Sequence, residues 1–61
     1  MKRHWLETIR KEHKLTQKDV AKKINISRQY YGMIENGERD PSVTTAKKIA
    51  SILNINWTIF F

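Results

Sequence analysis

Residues 17–36 read QKDVAKKINISRQYYGMIEN, two short amphipathic runs separated by a turn. An α-helix advances about 100° per residue, so the directions of its side chains follow from the sequence. Thr16 stands before the first run as an N-cap, Asp19 occupies the third helical position, and Leu15 and Val20 have the spacing of a hydrophobic staple. Val20, Ala21 and Ile24 share an inner face, while Lys18, Asp19, Lys22 and Lys23 point outward. Asn25 tolerates the left-handed backbone that ends a helix. The second run repeats this grammar: Ser27 is the cap, Ile26 and Tyr31 the staple, and Gly37 the left-handed stop. Two helices joined by so short a turn make a helix-turn-helix. Ala21 agrees with it, because a small residue on the inner face lets two crossing backbones approach.

The second of these helices has two chemically distinct faces. Arg28, Gln29, Gly32, Met33 and Asn36 fall in one arc of about 140°, and Tyr30, Tyr31 and Ile34 lie opposite. The polar arc contains no acid. Arginine pairs bidentately with guanine O6/N7 and glutamine with adenine N6/N7. Gly32 leaves room for close backbone approach to a groove, and Met33 offers apolar contact to a thymine methyl. For any single residue a solvated surface is a sufficient explanation. As a set, after a tight turn in a basic chain, the arc implies base reading. Tyr30 sits at the rim, where either packing or a hydroxyl contact to phosphate fits; Tyr31 points inward.

The flanking segments read as scaffold. Trp5, Leu6, Ile9 and His13 lie within about 100° of one another, which gives a first helix ending near Lys14, with His13 half-buried at its C-terminus. Arg39-Asp40-Pro41 is a turn and Ser42 caps a further helix, whose inner face is Ala46, Ile49, Ala50 and Leu53 with Ile52 at the edge. Asn54 ends that helix, and Asn56 caps a last short turn with Ile55 and Phe60 as its staple. Nothing alternates with the period of two that a strand requires. The expectation is an all-α fold: one compact domain over residues 1–61, made of five short helices, with the helix-turn-helix at 17–36.

Charge and composition narrow the partners. Twelve Lys/Arg against six Asp/Glu give a net charge of +6, with a pI of about 10.0, an excess that favours a polyanion, nucleic acid before membrane. The absence of cysteine removes disulfides and thiolate metal sites and fits a reducing cytoplasm. No apolar run approaches the roughly 20 residues of a membrane span, and MKRHWLETIRKEH has no apolar core of a signal peptide. Catalysis has no support. His4 and His13 point to opposite sides of one helix, the acids Glu7, Glu12, Asp19, Glu35, Glu38 and Asp40 are scattered singly, and Gly32 and Gly37 cannot form a phosphate-cradling loop. No metal, cofactor or small-molecule substrate is expected.

Residues 15–53, LTQKDVAKKINISRQYYGMIENGERDPSVTTAKKIASIL, resemble the DNA-binding domain of the lambda-repressor/Cro group, the XRE family. LTQ, Ala21, ISRQ, IENG and DPS carry the likeness in the right order and spacing, and it extends from Leu6 to Phe60. The resemblance implies a lambda-repressor-like five-helix fold of prokaryotic or phage type that binds double-stranded DNA in the major groove. It implies that Arg28, Gln29 and Met33 face the bases, with Gly32 beside them. Gln17 and Ser27 then touch phosphates or brace the base-contacting side chains, and the loop from Asn36 to Arg39 lies along the DNA backbone. It also implies a structural ion pair between Arg10 and Glu35. Asn25 and Lys14 stand where the family more often has glycine, and Lys14 there implies some strain.

The tail, INWTIFF, is the other informative stretch. Ile55, Trp57 and Phe60 suit closure of a core, yet Trp57, Ile59, Phe60 and Phe61 cannot all point inward from one turn. Exposed aromatics invite partners, and repressors of this family commonly dimerise there. The expectation is therefore a cytoplasmic regulator, nucleoid-associated when bound, that occupies a palindromic operator as a homodimer. Repression is favoured over activation, because occupancy alone blocks a promoter. The alternative is an antitoxin or protein-interaction module that uses the same tail. Sixty-one residues leave no room for a ligand-sensing or cleavage domain beside this one, and an end in Phe60-Phe61 is compatible with a longer parent chain.

Overall fold

Side-chain caps determine where every helix after the first begins. A computed structural model describes residues 1–61 and contains α1 (His4–Glu12), α2 (Gln17–Lys23), α3 (Arg28–Glu35), α4 (Val43–Leu53) and a terminal 3-10 turn (Trp57–Phe60), with no strand. At α2 the Thr16 hydroxyl accepts from the Asp19 N–H at 3.0 Å and the Asp19 carboxylate accepts from the Thr16 N–H at 2.8 Å, a complete capping box. Ser27 accepts from the Tyr30 N–H at 3.0 Å, Ser42 from Thr45 at 3.1 Å and Asn56 from Thr58 at 3.0 Å. Replacing such a cap by alanine costs about 0.5–2 kcal/mol, so each boundary is locally encoded.

The ends are equally local. Lys14, Asn25 and Asn54 have φ of 58°, 61° and 57°, and Gly37 has φ of 78°. Asparagine and glycine enter this region readily; a lysine there stores about 1–2 kcal/mol, so Lys14 ends α1 under strain. The fifth expected helix is a single 3-10 turn of four residues. His13 also differs from expectation. It is exposed, because α1 stops at Glu12 and His13 serves as its C-cap beyond the apolar stripe, with Nδ1 2.8 Å from the Ile9 carbonyl.

Every helix contributes to one core. Leu6 from α1, Val20 and Ala21 from α2, Ile24 from the turn, Tyr31 and Ile34 from α3, Ala46, Ile49 and Leu53 from α4, and Phe60 form a single buried cluster. Burying each large aliphatic is worth about 1.5–3 kcal/mol. Trp5 packs edge-on against Phe60, ring centroids 5.2 Å apart, and so fastens the tail to α1. Ala21 allows α2 and α3 to meet closely: its carbonyl accepts the Ile26 N–H at 3.0 Å across the turn. The core thereby holds α3 at a fixed angle to α2 with its polar arc outward.

Candidate nucleic-acid interface

The apolar side of α3 decides what its other side presents. Tyr31 and Ile34 are wholly buried, and Tyr30 is half-buried against the core. With that side locked, Arg28, Gln29 and Asn36 are exposed, and Gly32 and Met33 are half-exposed along the same arc. Neither Arg28 nor Gln29 has a side-chain hydrogen bond or ion pair within the chain, so their donors and acceptors are free for a ligand. A Cβ on Gly32 would meet Gln17 Oε1 at 3.5 Å, ordinary contact. The fold thus tolerates a side chain at 32, so packing within the chain does not require the glycine.

Beneath this arc lies a buried charged network. Arg10 Nε and Nη2 donate to the two Glu35 oxygens at 2.9 and 3.0 Å, a bidentate pair between α1 and α3. Arg10 Nη1 also donates to the Leu15 carbonyl at 2.8 Å, and Gln17 Nε2 donates to Glu35 Oε1 at 3.2 Å. Four segments (α1, the turn before α2, α2 and α3) are therefore tied through three side chains, Arg10, Gln17 and Glu35. Burial pushes the Glu35 carboxyl up, but the bonds from Arg10 and Gln17 outweigh it and hold the group below its usual range. The hydrogen bond to Glu35 in turn raises the Arg10 guanidinium above its usual value. The Tyr31 hydroxyl is buried without a hydrogen-bond partner, and that burial drives its pKa well above the ordinary phenol.

The remaining charges are arranged unevenly. Glu7 pairs with Lys2 and Lys11 at 3.3 and 3.5 Å, Asp40 with Arg3 at 2.6 Å, Asp19 closes its cap, and Glu38 accepts from Asn36 at 3.4 Å. Of the acids only Glu12 lacks a partner, whereas Lys14, Lys18, Lys22, Lys23, Arg28 and Arg39 are exposed around α2, α3 and the following loop. Exposed cations in this arrangement suit a polyanionic partner. Ser27 is exposed at the helix start, where its side chain caps the helix.

The tail divides. Ile59 and Phe61 are 52% and 66% exposed, so both are free to contact a partner. Phe60 is not: it is 6% exposed and part of the core, because a 3-10 turn anchored by Trp5 directs it inward. Trp57 is half-buried, with Lys47 Nζ 5.1 Å above its ring and Phe61 edge-on at 6.2 Å. Sequence reasoning also missed Arg3, which bonds to the end of α3 and the loop beyond it. It precedes α1 with no capping side chain, and nothing near it in sequence marks its distant partners. No three His, Asp or Glu side chains cluster at metal-binding distance, and no helix is long and apolar enough to cross a membrane.

This geometry has known relatives. The family model described as helix-turn-helix matches residues 6–60. The chain belongs to the helix-turn-helix family of the lambda-repressor/Cro (XRE) type. It is a family of DNA-binding transcriptional regulators, not a class of enzymes. Across all of its length the chain is 54% identical to the HTH-type transcriptional regulator YqaF of Bacillus subtilis, covering 80% of that protein. It is 44% identical over 50 residues to the immunity repressor protein of Bacillus phage phi105, a match spanning 82% of this chain and 35% of the repressor. It is 39% identical over 57 residues to the control protein C.MunI of a Mycoplasma species, spanning 92% of this chain and 77% of that protein. The matched residues include both α2 and α3, the two helices joined by the short turn.

Proposed function

We propose that this protein is a transcriptional repressor in the cytoplasm, nucleoid-associated when bound, that occupies a palindromic operator as a homodimer. In this reading α3 enters the major groove, Arg28 and Gln29 carry most of the base choice, and Gly32 and Met33 complete the contact surface. Gln17, Ser27, Tyr30, Asn36 and Arg39 contact the DNA backbone or brace the base-contacting side chains. The supporting observation is the α3 arc: acid-free, with Arg28 and Gln29 exposed and without side-chain partners in the chain, above a buried network that ties α3 to α1 and α2. The names of the phi105 repressor and the C.MunI control protein agree with control by occupancy. For two-fold binding the support is the exposed pair Ile59 and Phe61, with Trp57 at its margin. A symmetric pair of α3 helices about 34–36 Å apart would meet successive major grooves.

Titration of a labelled duplex at rising salt, with sedimentation of the free protein, tests this. The expected result is a log–log slope of about −0.9 per phosphate contact and a dimer weakened by Phe61→Ser. DNA affinity indifferent to salt would contradict the reading. A monomer that bound DNA as tightly as the wild type would remove the dimer from it.

A further inference from the structure

We propose that Arg3 is a positioning residue for the DNA-facing loop, clamping residues 36–40 onto the end of α3. The proposal rests on the operator-binding reading above. A helix leaves its last carbonyls without intrahelical donors, and in α3 the N-terminal segment supplies donors to two of them, those of Ile34 and Glu35. The Arg3 N–H donates to the Glu35 carbonyl at 2.8 Å, and Arg3 Nη1 donates to the Ile34 carbonyl at 2.6 Å. The same guanidinium then reaches the loop, donating from Nη1 to the Arg39 carbonyl at 3.2 Å and from Nη2 to Asp40 Oδ1 at 2.6 Å. Its carbon lies 5.9 Å from the centroid of the Phe60 ring, so the clamp is backed by the core.

The arrangement points to positioning and not to direct contact. The Arg3 side chain is 13% exposed and its Nη1 and Nη2 both donate within the chain, whereas Asn36 and Arg39 on the clamped loop are exposed. Gly37 shows how tightly the N-terminal segment lies on the loop, since a Cβ there would collide with the Met1 carbonyl. The Glu38 and Arg39 N–H groups donate back to the Met33 carbonyl at 2.9 and 3.3 Å, so the loop folds over the last turn of α3. Only a planar fork serves two carbonyls and a carboxylate together; a lysine ammonium in the same place is a point charge on a flexible stem.

Two substitutions separate positioning from charge. Arg3→Lys preserves the net charge, and Asp40→Asn adds one unit of positive charge. Loss of the clamp is expected to weaken DNA binding about 3- to 10-fold in both, equally on operator and random duplex, because backbone contacts carry no sequence information. In the free protein, amide hydrogen exchange at Glu38 and Arg39 should accelerate about 10-fold while amides in α4 keep their protection. Tighter DNA binding by Asp40→Asn with unchanged affinity in Arg3→Lys would overturn the role and leave bulk electrostatics. Unchanged exchange at Glu38 and Arg39 in Arg3→Lys would overturn the clamp itself. A wild type that ignores DNA would overturn the operator reading, and the loop's role with it, whatever the exchange data show.

Discussion

Glu35→Ala is expected to lower the unfolding free energy by about 3–5 kcal/mol, measured by urea or thermal denaturation. Glu35 is wholly buried, and its removal strands the Arg10 guanidinium, itself only 7% exposed, together with the Gln17 amide. At about 0.05–0.15 kcal/mol per residue, 61 residues have a total stability of about 3–9 kcal/mol, so this one change removes about a third or more of it and unfolds the protein at the lower end of that range. Replacing both partners with apolar residues of similar volume should cost less than removing one, because no uncompensated charge is left behind. A Glu35→Ala protein within about 1 kcal/mol of wild type would show that the network does not hold α1, α2 and α3 together.

The same carboxylate gives a pH dependence whose direction follows from linkage. The folded Glu35 is held below its ordinary value of 4.5, so the unfolded state binds its proton first as pH falls. Its stabilisation is fully present above that value and is lost as pH drops through the folded pKa. Asp19 and Glu7 behave alike, held low chiefly by the Thr16 backbone N–H and by Lys2 respectively. Glu35→Gln should therefore show a shallower acid loss than wild type, the remainder coming from those two groups.

Arg28→Ala has the larger expected effect on binding, about 1–3 kcal/mol, or roughly 5- to 150-fold in affinity. Arg28 is exposed at the first position of α3 and makes no side-chain bond within the chain, so truncation should leave the melting temperature unchanged. The effect should be a relaxed preference at one base pair in each half-site, because a bidentate arginine discriminates guanine from the other bases. Equal weakening on every sequence would instead mark Arg28 as a phosphate contact.

Much of this is legible in the sequence because the decisive signals are short-range. Thr16, Ser27 and Ser42 bond three residues ahead, and Asn25, Asn54 and Gly37 stop helices through their own backbone angles. The inner faces of α2, α3 and α4 follow from a period of 3.6, which packing obeys. Legibility failed where a partner lay far along the chain or where a turn replaced a helix. Arg3 bonds to residues 31 to 37 positions away, a relation with no local signature. Phe60 points inward because the last element is a 3-10 turn held against Trp5, which hydrophobicity alone does not distinguish from an exposed aromatic. The Arg10–Glu35 pair spans 25 positions and was anticipated only through family resemblance.

The central claim is that the exposed arc of α3 reads a specific DNA sequence, and selection of bound duplexes from a random pool tests it most directly. The account predicts one enriched inverted repeat with half-sites centred about 10–10.5 base pairs, one helical turn, apart, and loss of selectivity at one position per half-site in Arg28→Ala. A pool that stays random after repeated selection, or a motif unaltered by substitution at Arg28 and Gln29, would contradict it.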